Sequence, residues 1–250
     1  MPIFYLRRLT GSKRTDEANR HLARYLAFVA GAANAGGFLA VHQYTSHMSG
    51  VVAAMADNLA IGSLLLVFDG TISFLSFLAG AFVTTLLIRW ARALALESEY
   101  ALPLLVEASL LVVFGCTGSV FSGRRVMGTV MLLCFTMGMQ NAIITKLSNA
   151  VIRTTHLTGM VTDIGIALGR VALPGRGGEV GLEREWSTLR LLSSLVALFF
   201  IGGVIGATGF KHVGFLFTLP LSAGLIVLAA VPVMDDVLRR RGLHDAGLRD

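Results

Sequence analysis

Two stretches of the chain, Ser73–Ile88 (SFLSFLAGAFVTTLLI) and Leu191–Phe210 (LLSSLVALFFIGGVIGATGF), contain no ionisable side chain. A helix needs about 20 consecutive apolar residues to cross the hydrocarbon core of a bilayer. Inside that core the chain must satisfy its own backbone polar groups, which a helix does within one segment. Charged residues make up only 14% of the sequence and hydrophobic ones 54%. A soluble domain carries about 25% charged residues, so this chain cannot clothe a water-facing surface in the ordinary way. The expectation is an all-α fold: a polytopic transmembrane helix bundle.

Hydropathy divides the chain into eight candidate spans, about 24–43, 48–68, 71–90, 102–121, 126–147, 157–173, 189–210 and 213–234. The second and sixth are the weakest, since each carries an aspartate among small residues. If those two are broken or re-entrant, six or seven spans remain. With eight spans and the N-terminus inside, sixteen Lys/Arg fall on the cytoplasmic side and five outside. Basic residues collect in cytoplasmic loops, so both termini are expected in the cytoplasm of a bacterial inner-membrane protein. The connector at 174–190 is then cytoplasmic, partly helical and mobile. The net charge of +6 flanks spans rather than forming a basic stripe with interleaved aromatics, which argues against a nucleic-acid partner. Cys116 and Cys134 read as small buried hydrophobes. No cleavable signal peptide is evident in residues 1–23.

The chain also repeats itself. YTSHMSGVV (Tyr44–Val52) has a close copy in RTTHLTGMV (Arg153–Val161). GAANAGGF (Gly31–Phe38) matches GMQNAIIT (Gly138–Thr145) at an offset of 107 residues, which sets Asn34 against Asn141. His47, Ser49 and Gly50 match His156, Thr158 and Gly159 at 109. A period this long points to a duplicated half, as in many transporters. The resulting organisation is an N-terminal segment (1–23), a first repeat (24–122), a second repeat (123–235) and a C-terminal tail (236–250). Four spans per half would give both halves one orientation; removing a span would invert them.

The segments GAANAGGFLAVHQYTSHMSGVVAAMA and GMQNAIITKLSNAVIRTTHLTGMVTDIGIALG resemble the two signature regions of the YoaK family, bacterial integral membrane proteins of undefined function. The resemblance extends over nearly the whole chain. It implies a membrane class and no reaction. Family members usually carry an aspartate where Asn34 stands, an asparagine at Val51 and a threonine at Ser49. The resemblance therefore brings no titrating acid to the first span.

Read physically, each copy places hydroxyls, a bare backbone patch and a carboxylate on one helix face. Gly50 and Asp57 share a face at i, i+7, and Thr155, Gly159 and Asp163 follow i, i+4, i+8. Ser/Thr hydroxyls suit a helix that starts or breaks within the membrane, and a helix N-terminus there offers an anion- or dipole-binding end. Amides from Asn34, Gln140 and Asn141 would add to a polar cavity between the halves. Asp57, Asp163 and Glu107 each cost about 2.5–3.5 kcal/mol at a span centre, which makes them candidate solute or proton sites. Asp69 is assigned to a DG turn. The bland alternative is that Ser, Thr and Gly serve as packing glue between helices. His47 and His156 lack neighbouring Cys or acid ligands at metal spacing and read as capping groups. No metal or cofactor is expected.

Function follows as an expectation: a transporter-like protein binding an unidentified small solute through Asn34, Asp57, Asn141, Asp163, Gln140 and Glu107. The cavity would be shaped by Ser49, Gly50, Thr155, Thr158, Gly159, His47 and His156, with proton coupling possible through the buried acids. Membrane lipids, and a second copy of the chain, are the other expected partners. The alternative is a non-transporting module that binds lipid or assembles a complex. An intramembrane enzyme ranks third, because no G-x-S-x-G or third catalytic group accompanies HMSG; the chain is read as not an enzyme.

Overall fold

The computed structural model describes residues 15–41, 44–117, 126–147, 157–173 and 178–247. Among these residues every regular element is helical. Eight α-helices follow in order: α1 (Asp16–Val41), α2 (Met48–Ala60), α3 (Leu64–Ala93), α4 (Ala101–Thr117), α5 (Val126–Leu147), α6 (Leu157–Ala172), α7 (Gly178–Val213) and α8 (Thr218–Gly247). A short 3₁₀ turn, Gly214–Phe217, separates the last two. By length and composition, three helical stretches can cross a membrane: Leu64–Ala93, Met127–Lys146 and Gly181–Arg239, the last containing both α7 and α8.

Side-chain pairings give the helix directions. Arg20 Nη1 donates to Ser187 Oγ (3.2 Å) and Arg24 Nε to Ser194 Oγ (2.9 Å), while Gly36 lies under Phe210. Residue numbers rise together, so α1 and α7 are parallel. In the same way α3 and α5 are parallel, with Thr84 Oγ1 donating to the Met139 carbonyl (3.4 Å). By contrast, α1 and α5 are antiparallel, since Gln140 reaches the Leu26 carbonyl while Gly37 faces Leu133. Helices α4 and α8 are antiparallel too, joined by Ser222 Oγ to the Ala108 carbonyl (2.9 Å) and by Gly115 against Thr218. The long helices thus alternate, with α1, α4 and α7 in one sense and α3, α5 and α8 in the other.

The short helices break that alternation. α2 forms a hairpin with the start of α3, where Met55 lies over Gly70, so α2 continues in the sense of α1. Arg170 of α6 meets Glu185 of α7 (3.1 Å), so α6 continues in the sense of α5. At 1.5 Å per residue, α2 and α6 rise only about 20 and 24 Å, short of the ~30 Å core. Each runs on in the direction of the helix before it and is too short to cross the core by itself.

This corrects several expectations. The second and sixth candidate spans, read as the weakest, are the two shortest of the described α-helices, at 13 and 16 residues. Asp69 and Gly70 lie inside α3; the turn comes earlier, at Ile61-Gly62-Ser63, where Gly62 adopts φ +78. Most of the connector at 174–190 belongs to α7, which begins at Gly178. Cys134 is buried as expected, whereas Cys116 is exposed. Arg89 and Arg92 move to the end of the bundle that holds Arg20, Arg24, Arg170, Arg184, Arg190 and Arg239. The reason is common to most of these: hydropathy does not distinguish a helix of 13 residues plus a loop from a helix of 20.

Two crossings of one design hold the bundle. Phe28-Val29-Ala30-Gly31 of α1 crosses Phe199-Phe200-Ile201-Gly202 of α7, and Phe77-Leu78-Ala79-Gly80 of α3 crosses Phe135-Thr136-Met137-Gly138 of α5. In each, the glycine of one helix lies against the phenylalanine carbonyl of the other, reciprocally: Gly31 on Phe199, Gly202 on Phe28, Gly80 on Phe135 and Gly138 on Phe77. A Cβ at any of the four would collide with that carbonyl. Small residues permit such backbone approach where no hydrophobic force drives helices together. The core around them includes Leu22, Leu26, Leu104, Leu111, Ile143, Leu195 and Leu225.

At the basic end, Asp236 of α8 holds the turn that leads into α4. Its carboxylate accepts from the backbone N–H groups of Glu97 and Ser98, both at 2.9 Å. Asp236 is buried, so removing it strands two donors in that turn, a loss of about 1–3 kcal/mol. Asp236→Ala should lower the unfolding midpoint in detergent. An unchanged midpoint would show that water replaces the carboxylate there.

Candidate functional site

The breaks after α1 and α5 bring the repeated motif together. Ser46, His47, Met48 and Ser49 lie at the entrance to α2, and Leu157 and Thr158 begin α6. Both entrances open on one cavity of about 680 Å³, whose wall also includes Asn34, Tyr44, Phe77 and Phe199. Phe77 and Phe199 are the residues whose carbonyls meet Gly138 and Gly31, so the two helix crossings border the cavity. A smaller groove of about 330 Å³ adjoins it between α2 and α3, lined by His47, Gly50, Asn58, Asp69 and Ser73 among others. The larger space is the candidate site, because it alone is lined by both motif copies.

Local chemistry holds the first entrance open. Ser46 Oγ donates to Asn34 Oδ1 (2.9 Å), tying the linker to α1. Tyr44 stacks on Phe38 with ring centroids 4.7 Å apart. His47 occupies the N-cap position of α2 but makes no capping hydrogen bond with its side chain, contrary to the capping role expected of it. Its imidazole lies over Gly50, where a Cβ would come within 2.6 Å of Nδ1. A bare backbone at residue 50 is what lets the ring lie there. The first turns of α2 and α6, with the positive ends of two helix dipoles, lie at the cavity. No Asp or Glu is among the residues lining it.

Asn34, His47, Ser49 and Thr158 therefore come together as the repeat implies, with Gly50 in the adjoining groove. Gly159 is exposed beside Thr158. Thr155 and His156 lie outside the described residues. Asp57 and Asp163 are exposed and absent from the cavity wall. α2 meets α3 where Met55 lies over Gly70, Val51, Met55 and Asn58 line the groove between them, and one residue of helix is a rotation of about 100°, which turns Asp57 outward. Glu107, Gln140 and Asn141 are buried in the bundle, away from the wall. Gln140 Nε2 donates to the Leu26 carbonyl at 3.4 Å. Sequence reasoning missed Tyr44, Ser46, Phe77 and Phe199; the four Phe-x-x-Gly strings were the available signal for the last two.

The described residues form an all-helical bundle of the integral membrane class, in which residues at the starts of α2 and α6 line one cavity. Residues 22–231 match the family described as Protein of unknown function (DUF1275), and the chain belongs to that family. It is also 29% identical over 146 residues to UPF0700 transmembrane protein YoaK of Bacillus subtilis (strain 168). That alignment covers 57% of this chain and 64% of the relative, a little under two thirds of its length. No solved structure matches the chain.

Proposed function

We propose that the protein is a transporter of a small solute in the bacterial inner membrane, built from two homologous halves of inverted orientation. Each half would contain a broken pass followed by two whole ones: α1–α2, α3 and α4, then α5–α6, α7 and α8. An odd number of passes per half inverts the second half, and inverted repeats with discontinuous helices at a midplane site are a recurring transporter plan. The matched Phe-x-x-Gly crossings, in which α1 pairs with α7 and α5 with α3, are what a duplication of this kind would leave. Six passes put both termini on one side. Arginines gathered at that end fit a cytoplasmic location.

The observation that carries the reading is the single cavity shared by the first turns of α2 and α6. Solute would bind there, and one half would rock against the other about the glycine crossings. Ser49→Phe or Thr158→Phe should fill the cavity and abolish solute uptake into proteoliposomes while leaving the unfolding midpoint nearly unchanged. Full uptake by both variants would sink the proposal. Proton coupling is a separate question. Asp57→Asn with Asp163→Asn should leave pH-dependent uptake intact, because neither acid lines the cavity; loss of that pH dependence would restore them as coupling sites. The outward-facing acids of α2 and α6 favour one rival, a complex-assembly subunit whose partner covers those faces. Such a subunit would co-purify with its partner and bind no solute.

A further inference from the structure

We infer that the cavity selects a small organic monoanion, a carboxylate with an apolar body. The inference rests on the transport reading and adds its substrate class. Each helix N-terminus acts as roughly half a positive charge. The two that face this cavity, from helices of 13 and 16 residues, together balance about one negative charge. A second observation points the same way. Asn34 is only 8% exposed; Ser46 occupies its Oδ1, and its amide nitrogen makes no hydrogen bond among the described residues. That nitrogen is a donor at the wall of the cavity. Ser49 and Thr158 add hydroxyl donors from the two first turns.

The lining chemistry excludes the other charge class. A cation would need a carboxylate or a ring of carbonyls, and no Asp or Glu is among the described residues that line the space. Met48, Phe77, Leu157 and Phe199 make the rest of the wall apolar. A fully hydrated inorganic anion gains nothing from them, whereas a carboxylate with a hydrocarbon body buries its tail there while its head meets the donors.

The test uses the full chain in proteoliposomes and three isosteric probes: benzoate, benzamide and benzylamine. Binding is read by thermal stabilisation of the purified protein and transport by isotope uptake. Benzoate should bind at least tenfold more tightly than benzamide, and benzylamine should not bind. Asn34→Asp, which changes shape little and sets a carboxylate in the wall, should abolish benzoate binding without lowering the unfolding midpoint. Preference for benzamide or benzylamine overturns the anion assignment and leaves the transport reading standing. So does unchanged benzoate affinity in Asn34→Asp. Tighter binding of nitrate than of benzoate overturns the apolar-body part. If the protein neither binds nor moves any of these probes or a wider solute panel, the transport reading falls as well.

Discussion

Gly202→Ala is expected to destabilise the protein severely, while Gly203→Ala, one residue along the same helix, is expected to be neutral or mildly stabilising. The difference is packing alone. A methyl group at Gly202 would run into the Phe28 carbonyl of α1, with the Phe28 carbonyl carbon also at 2.9 Å. At Gly203 the nearest atom to such a methyl is the Gly31 carbonyl oxygen at 3.8 Å, an ordinary contact. Alanine in a helix interior gains up to about 1 kcal/mol over glycine, and only at Gly203 is that gain free of a clash. Overpacking costs about 1–3 kcal/mol where side chains can yield. The obstacle at Gly202 is helical backbone, so relief requires separating α1 from α7. Gly31→Ala and Gly138→Ala should behave like Gly202→Ala. Thermal unfolding in detergent reads all four. Equal midpoints for Gly202→Ala and Gly203→Ala would mean that the helices do not cross where the glycines place them.

Much of this architecture could be read in advance, though unevenly. Composition and the uncharged stretches established a membrane helix bundle, because an uncharged run of 16 to 20 residues has few other places to go. The two similar motifs named residues that share a cavity wall, since Ser49 and Met48 of one and Thr158 and Leu157 of the other line it. Helix rotation and length were the parts that the sequence did not make legible. Asp57 was placed on the Gly50 face by seven-residue spacing, yet Val51, Met55 and Asn58 line the groove beside α3 and Asp57 is exposed. Eight candidate spans were counted because α2 and α6, though the weakest, are still apolar over most of their length. Nothing in hydropathy records that each runs on in the direction of the preceding helix. The Phe-x-x-Gly strings were visible four times. Their meaning depends on pairing first with seventh and third with fifth helices, which are long-range contacts that no local pattern contains.

Glu107 supplies the second large effect: Glu107→Leu should raise the unfolding midpoint and at the same time reduce uptake. The residue has no exposed surface, and neither carboxylate oxygen has a hydrogen-bond partner among the described residues. Around it lie Leu104, Ala108 and Leu111 of its own helix in the bundle core. Tyr25 is close enough to interact with it electrostatically, and the Tyr25 hydroxyl lies over Gly224. A buried polar group without a hydrogen bond costs about 1–3 kcal/mol, and a leucine of similar volume recovers most of that. A chain keeps such a group against the gradient of stability when the group does something else. Glu107→Gln separates shape from charge: it retains the volume and the polar head but cannot exchange a proton. If Glu107→Leu alone is stabilised and both variants lose uptake, the acid acts through protonation, from inside the bundle and not from the cavity wall. If Glu107→Leu gains stability and transports normally, the carboxyl has no role. A loss of stability in Glu107→Leu would instead reveal a bonding partner for Glu107, and the argument from an unpartnered acid would fail.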